Sequence, residues 1–377
     1  MRGLIRLIII LSAILRSLFF WNIKKRDPKK ILIAHDLLLG DTLLLAPLMK
    51  RIHEKYPHAQ KYVLAKPIFV PLYTNTPYGF KALSYNPKSF LSVWRIFCCG
   101  SYDLAFIAGD NRYSWLARAV GSYWNVGIDG DIPPWKNWML DEVKFFDLTP
   151  ATWADMMGRL VDGKNPKPYQ KNDWSRPDIK KLSLPFDRSK PYVVCHLGAS
   201  NSLKFWQASS WKVLIHNLRK QKYEVVLSVG PNEEYLINEI DPDYQYHHVP
   251  GNYSLIEMWA LVEQAKFVVS VDTGIAHFAK LTGTPIVTLF GPGSPVSHGK
   301  GLFWKKSICY HTTKDNFICR DQPILFRREV NWLKRCGRGV SECKTPGACM
   351  EAITPELVMN SINMNNLVAN KISSNLY

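Results

Sequence analysis

The chain is short of acid. Its 377 residues carry 31 Asp and Glu against 48 Lys and Arg, a formal net charge of +17, and such a deficit points to an anionic partner: nucleic acid, acidic lipid or a phosphorylated substrate. A long uninterrupted apolar run is also missing, because the most apolar stretch, Leu4 to Trp21, is broken by Arg6, Ser12, Arg16 and Ser17. With 47% hydrophobic and 21% charged residues, neither a polytopic membrane fold nor long disorder is expected. No small-residue cleavage site follows the apolar stretch; Lys24, Lys25 and Arg26 come instead, which argues against a secretory signal. Nor is there a CxxC pair among Cys98, Cys99, Cys195, Cys309, Cys319, Cys336, Cys343 and Cys349. Free thiols in a reducing compartment are therefore the default, with packing thiols, a metal and disulfides left as alternatives and the spacing poor for zinc.

What is present organises the chain into two halves. Its length exceeds what one core supports and suits two domains. The run Lys30 to Ala34 reads as a strand, Leu37 to Asp41 as a turn, and Thr42 to Tyr56 as a helix, the opening of a βα unit. Tyr62 to Ala65, Leu104 to Ala108 with a helix from Tyr113 to Val120, and Asn125 to Ile128 continue the alternation, with a further helix over Ala151 to Val161. A proline-rich stretch between Leu148 and Pro191 holds the expected linker, around 175 to 190. Beyond it the spacing predicts strands at Tyr192 to His196, Glu224 to Val229, Phe267 to Val271 and Pro285 to Phe290. Helices fall at Gln207 to Lys220, Leu255 to Gln264, Gly274 to Leu281 and Thr354 to about Lys371. Alternating strands and helices imply parallel sheets. The division is a basic segment 1–29, a first α/β domain 30–185 and a second 186–377.

The positive charge is concentrated in two places. Residues 1–30 hold eight Lys and Arg against Asp27 alone, and residues 300–344 hold eleven against four acids. On a helical projection Arg2, Arg6, Ser12, Arg16 and Ser17 gather on one side and Leu4, Ile5, Ile8, Leu11, Leu15, Leu18 and Phe19 fill the rest. The preferred reading is an interfacial helix on an anionic leaflet, with a spanning anchor and a helix packed on the protein itself as alternatives.

Open α/β sheets bind ligands beyond the carboxyl ends of their strands, so the strand-to-helix loops are the places to search. In the second half these are Gly198-Ala199-Ser200-Asn201-Ser202 with Lys204, then Gly230 to Glu234, then Asp272-Thr273-Gly274 opening the helix with His277. Gly198, Ser200 and Ser202 suit an oxyanion-binding turn and Lys204 a diphosphate. Thr273 and Gly274 offer amides at a helix start. Asp272 is a candidate helix cap, and Glu233 or Glu234 a ribose acceptor. A nucleic-acid-binding protein is the non-enzymatic competitor, disfavoured because no recognisable nucleic-acid motif accompanies the charge.

Four motifs then occur in order: Leu39-Gly40-Asp41, GASNSLKFW from Gly198, DTGIAH from Asp272, and GTPIVTLFGPGSP from Gly283. With YDLAF at Tyr102 and Cys349-Met350, they resemble glycosyltransferase family 9, the lipopolysaccharide heptosyltransferases, over about Lys30 to Val358. The resemblance implies the GT-B architecture, two Rossmann-like domains facing a central cleft. It also implies an inverting transfer without metal or other cofactor, a nucleotide-sugar donor typified by ADP-heptose, and a phosphorylated lipid-linked acceptor at the cytoplasmic face of the inner membrane. Carried onto this chain, Asp41 matches the proposed general base and Lys204 the cation that stabilises the leaving diphosphate. Gly198, Ser200, Ser202, Glu233, Asp272, Thr273, Gly274 and His277 fall to the donor, and Gly40 and Arg112 to the acceptor. A GT-B-like sugar-nucleotide epimerase is disfavoured by the Leu39-Gly40-Asp41 match. The chain departs from the family in carrying His35, with Asp36 beside it, where many members have an arginine, and in its N-terminal extension and basic insert around 300 to 348.

Overall fold

A computed structural model describes residues 2–20, 25–179, 186, 190–315, 317–365 and 367, and for residues 2 and 20 the backbone only. The chain forms two compact units, Met1–Asp178 with Gly301–Phe303 and Pro323–Leu333, and Ile179–Lys300 with Trp304–Gln322 and Lys334–Tyr377. Most of the expected linker, and the chain after 367, lie outside the described residues.

The first unit runs α1 (Arg2–Phe20), β1 (Lys30–Ala34), α2 (Leu39–Leu43), α3 (Ala46–Lys55), β2 (Gln60–Ala65), β3 (Phe80–Ser84), α4 (Phe90–Phe97), β4 (Tyr102–Ile107), α5 (Tyr113–Ala119), β5 (Ser122–Ile128), β6 (Glu142–Lys144) and α6 (Trp153–Gly158). Its sheet is parallel throughout, in the order β3-β2-β1-β4-β5-β6, with Ile33 paired to Val63 on one side and Phe106 on the other. The inner strands are apolar runs because helices cover both faces of such a sheet. The single helix expected from Thr42 to Tyr56 is instead two, α2 and α3. Pro47 stands in the first turn of α3, and a continuous helix would need its missing N–H to reach the carbonyl of Leu43.

The second unit runs β7 (Tyr192–His196), α7 (Ala208–Lys220), β8 (Glu224–Ser228), α8 (Tyr235–Ile240), β9 (His247–Val249), α9 (Leu255–Gln264), β10 (Phe267–Val271), α10 (Gly274–Thr282), β11 (Ile286–Phe290), α11 (Pro295–His298), β12 (Cys309–Thr313), α12 (Ala348–Glu351) and α13 (Pro355–Met364). Its order, β12-β11-β10-β7-β8-β9, repeats that of the first sheet strand for strand: the third, second and first strands, then the fourth, fifth and sixth. Each unit is thus a Rossmann-like sheet whose strand order reverses once, between β1 and β4 in the first and between β7 and β10 in the second. Trp206 and Trp211 meet edge to face at 4.9 Å in the second core, where the Trp206 indole donates to the Ile353 carbonyl and anchors the start of the closing helix.

A small antiparallel hairpin, β13 (Ile324–Leu325) and β14 (Arg328–Glu329), belongs to the first unit although both flanks of its segment belong to the second. Arg328 fastens it. The buried guanidinium donates to the carbonyls of Gly109 at 2.7 Å, Asp129 at 2.8 Å and Ile128 at 3.0 Å, and lies 3.6 Å from Asp131.

The N-terminal helix is amphipathic, with its small and polar side turned to the protein and its apolar side turned outward. Ile5 and Ala13 are buried and Ser12, Arg16 and Ser17 half-buried against the unit, with Ser17 donating to the Ala13 carbonyl and packing at 3.2 Å on the Met139 sulfur. Leu4, Leu7, Ile10, Leu11, Ile14, Leu15, Leu18 and Phe19 point outward. Small side chains at Ser12, Ala13 and Ser17 let the helix approach closely, and Arg16 lies over Gly121, where a Cβ would meet its guanidinium. Among the described residues no helix is long and apolar enough to cross a membrane.

Candidate active site

In the second unit the reversal point brings the loops after β7 and β10 together. Asn201 accepts from the Leu203 amide at 3.0 Å and starts a short 3-10 turn, Ser202–Lys204. That turn sends the Lys204 side chain across to Asp272, where Nζ donates to the carboxylate at 2.8 Å and to the backbone carbonyl at 2.9 Å. Asp272 is only 6% exposed. Burial alone would raise its pKa, but Lys204, His298 and His277 outweigh that and hold the carboxyl at about 2. Asp272 therefore does not cap α10; Thr273 occupies the cap position without a side-chain hydrogen bond. The carboxylate instead fixes the lysine.

His277, on α10, is buried. Desolvation, with Lys280 and His298 adding to it, pushes its pKa well below the ordinary value, so the ring is neutral. It lies 6.2 Å from His298 between ring centroids. The loop after β11 completes this corner: a Cβ at Gly293 would overlap the Asp272 carboxylate, which is why the loop needs glycine there. His298 and Gly293 were missed in the sequence reading of the site; the only signal for Gly293 was its place in the GPGSP loop.

Gly198 meets Glu233 rather than open space. A Cβ at Gly198 would overlap the Glu233 carboxylate, which accepts the Gly230 amide at 2.7 Å and the Ala199 amide. Burial raises the Glu233 pKa against these bonds. Glu233 thus staples the loops after β7 and β8, while Ser200 and Ser202 are exposed on the same loop as Gly198, and Thr273 and Gly274 are half-buried at the start of α10.

The first unit carries its own set at the β1/β4 reversal. Gly40 and Asp41 lie in the first turn of α2, whose cap position is taken by Leu38, so Asp41 is not a helix cap. His35, at the end of β1, is buried; desolvation and then Lys66 bring its pKa to about 3, and Nδ1 accepts the Leu37 amide at 3.2 Å. Arg112 projects from the loop after β4 and grips Asp110 at 2.6 Å. Burial opposes ionisation of Asp110, yet the Arg112 guanidinium and the Lys136 ammonium keep its carboxyl below the usual range. Lys136 also reaches Asp131 at 3.0 Å. None of Asp110, Asp131, Lys136 and Arg328 was singled out from the sequence, where each reads as an ordinary surface charge.

Among the described residues no three His, Cys, Asp or Glu stand as a metal-holding group. Cys319, Cys336, Cys343 and Cys349 nevertheless line one cavity beside Pro292 and Arg320, and all eight cysteines are free thiols.

The pattern describing glycosyltransferase family 9 (heptosyltransferase) matches residues 91–323. The chain is 25% identical over 305 residues to lipopolysaccharide heptosyltransferase 3 of Escherichia coli, covering 73% of this chain and 89% of that protein. It is 33% identical over 108 residues to heptosyltransferase 1 of Salmonella typhimurium, which covers 28% and 34%. Among solved structures, a family 9 glycosyl transferase from Veillonella parvula superposes with a TM-score of 0.69 at 15% identity, covering 91% and 99%. E. coli ADP-heptose heptosyltransferase II gives 0.67 at 18%, covering 89% and 98%. With the fold, the motif order and this match over more than half its length in agreement, the chain belongs to glycosyltransferase family 9, the heptosyltransferase family.

Proposed function

We propose that this glycosyltransferase moves a heptosyl residue from ADP-heptose to a phosphorylated, lipid-linked saccharide of the lipopolysaccharide core, with inversion and without a metal, at the cytoplasmic face of the inner membrane. The observation that carries the reading is the Lys204–Asp272 pair at the second unit's reversal point: it holds an ammonium beside the amide-rich start of α10, where a diphosphate finds both cation and N–H donors. Support for the donor comes from the solved E. coli heptosyltransferase WaaC with ADP and with ADP-2-deoxy-2-fluoro heptose, at TM-scores of 0.65 and 0.60.

In the reaction a hydroxyl oxygen of the acceptor attacks the anomeric carbon while the bond from that carbon to the β-phosphate oxygen breaks. Asp41 takes the hydroxyl proton as general base. ADP leaves with its negative charge met by Lys204 and by the amides at Thr273 and Gly274, so the electrostatic work falls to an ammonium. Asp272 positions that ammonium, and the neutral His277 shapes the donor wall without adding charge. Gly198, Ser200, Ser202 and Glu233 complete the donor side. Gly40 permits approach of the acceptor and Arg112 meets its phosphate.

The test is a pair of measurements on Asp41→Ala. Transfer should fall by about 10²-fold or more, while ADP-heptose still raises the melting temperature as it does in the parent, because a ligand bound only by the native state stabilises it. Undiminished transfer would remove Asp41 as base, and stabilisation by UDP-, GDP- or CMP-sugars but not by ADP-heptose would remove the donor.

A further inference from the structure

The outward side of α1 offers water nothing polar over most of its length. Leu4, Leu7, Ile10, Leu11, Ile14, Leu15, Leu18 and Phe19 are between 41% and 82% exposed. Together they present on the order of 800 Å² of surface, above the roughly 300–600 Å² that the largest apolar patch of a monomer normally covers. The polar side is already used against the first unit, through Ser12, Arg16 and Ser17. The helix cannot roll over to hide its leucines without exposing Ile5 and Ala13 and pulling Arg16 off Gly121.

Further exposed apolar side chains stand on elements that share a core cluster with α1. Ile9 of α1 and Phe97 at the end of α4 both pack on the cluster of Ala13, Trp115 and Ala119. The free side of α4 exposes Phe90, Leu91 and Trp94, with Phe90 stacked on Trp94 at 6.1 Å. Met139 packs on the same cluster from the loop before β6, and the neighbouring Trp138, 70% exposed, lies 6.5 Å from Trp115. A ridge of aliphatic side chains with tryptophans at its margins is the pattern of a surface that sits at a lipid–water boundary, where the indole is apolar on its face and polar at its N–H.

We propose that this face, α1 with the exposed aromatics of α4 and Trp138, inserts into the outer few ångströms of one leaflet of an anionic bilayer and carries the first unit flat against it. Charge selects the lipid. Residues 1–30 hold eight basic side chains against Asp27 alone. Lys25 and Arg26 are partly neutralised by Glu142 at 2.6 Å and Asp103 at 2.5 Å, while Arg6 stands exposed on α1 itself. That surplus opposes the other simple occupant, a second copy of the chain, because a two-fold pairing of α1 with α1 sets two basic segments face to face. Phosphoglycerol and phosphoserine headgroups carry the complementary sign. The inference deepens the membrane placement in the proposed function, and it is measured without any sugar donor.

The experiment is co-sedimentation of the full chain with vesicles of phosphatidylcholine alone or with one quarter phosphatidylglycerol, at low and high salt. The parent protein should partition at least tenfold more strongly to the anionic vesicles at low salt, and lose that preference at high salt. Leu11→Ser with Leu15→Ser, side chains that point away from the unit, should weaken binding tenfold or more. Melting temperature and transfer to a water-soluble, deacylated acceptor should stay unchanged. Absence of vesicle binding, equal binding to neutral vesicles, or binding that survives the double substitution overturns the proposal. So does a dimer that the double substitution dissolves in the absence of lipid. Failure on vesicles with transfer intact strikes this inference alone; loss of transfer to the soluble acceptor by Asp41→Ala and the parent alike strikes the functional reading.

Discussion

Replacing Lys204 by methionine removes the ammonium and keeps most of the side-chain volume, leaving the Asp272 carboxylate buried without its lysine partner. In the folded protein Asp272 titrates at about 2 against about 4 for a free aspartate, a difference worth roughly 2 kcal/mol. Its folded pKa is depressed, so this stability is present in full above pH ~4 and is lost as the pH falls toward 2. That value is already net of the burial penalty, which Lys204 is the largest single contributor to offset. Without the lysine the penalty returns, and the expected loss at pH 7 is about 3 kcal/mol, the range seen when one partner of a buried pair is removed. Urea unfolding should show it as a midpoint lower by about 1–1.5 M at unchanged slope. The deficit should shrink between pH 7 and 5, because the orphaned carboxyl then protonates at far higher pH than before. Adding Asp272→Asn to Lys204→Met should recover most of the loss. A single variant within 0.5 kcal/mol of the parent, or a double variant no better than the single, would refute the assignment of this pair as mutually dependent.

Arg328→Met should cost about 3–5 kcal/mol, since it removes the guanidinium that donates to the carbonyls of Gly109, Ile128, Asp129 and Phe326 and leaves Asp131 with Lys136 as its remaining cation; thermal melts check the loss, and limited proteolysis should newly cut between 323 and 333. Gly198→Ala forces the Glu233 carboxylate off its amides and should lower stability by about 1–3 kcal/mol, with Glu233→Ala in the same chain relieving the overlap while giving up the bonds to Gly230 and Ala199. If the two substitutions simply add in a double-mutant cycle read by urea unfolding, the contact is not what makes glycine necessary.

The inner strands were legible and the edges were not. β7, β10 and β11 are buried at every position, so helices on both faces of the sheet leave an unbroken apolar run in the sequence. The edge strands β3, β6, β9 and β12 are half-exposed, short and mixed in polarity, and nothing in their composition separates them from loops. Positions of the loop motifs were readable because glycine and charge cluster where strands end. What those residues touch was not, since Asp272 is a cap by local sequence and the lysine's partner only by a contact 68 residues away. Periodicity likewise found the two sides of α1 but not which one meets the protein. That choice depends on whether a complementary surface exists, here the ridge of Trp115 and Ala119.

The hairpin held by Arg328 bears on any attempt to study the halves apart. Cutting near residue 180 would not give two self-sufficient pieces, because the stretch that stoppers the ends of β4 and β5 is encoded some 150 residues later, beyond the start of the other half. A fragment stopping at the linker would be built with Gly109, Ile128 and Asp129 facing water through an unplugged edge. Its partner fragment would trail a loop with nowhere to dock. The gene can be divided there, but the folded object cannot, and complementation by co-expressing both pieces is the form in which a split version of this enzyme should recover its first half.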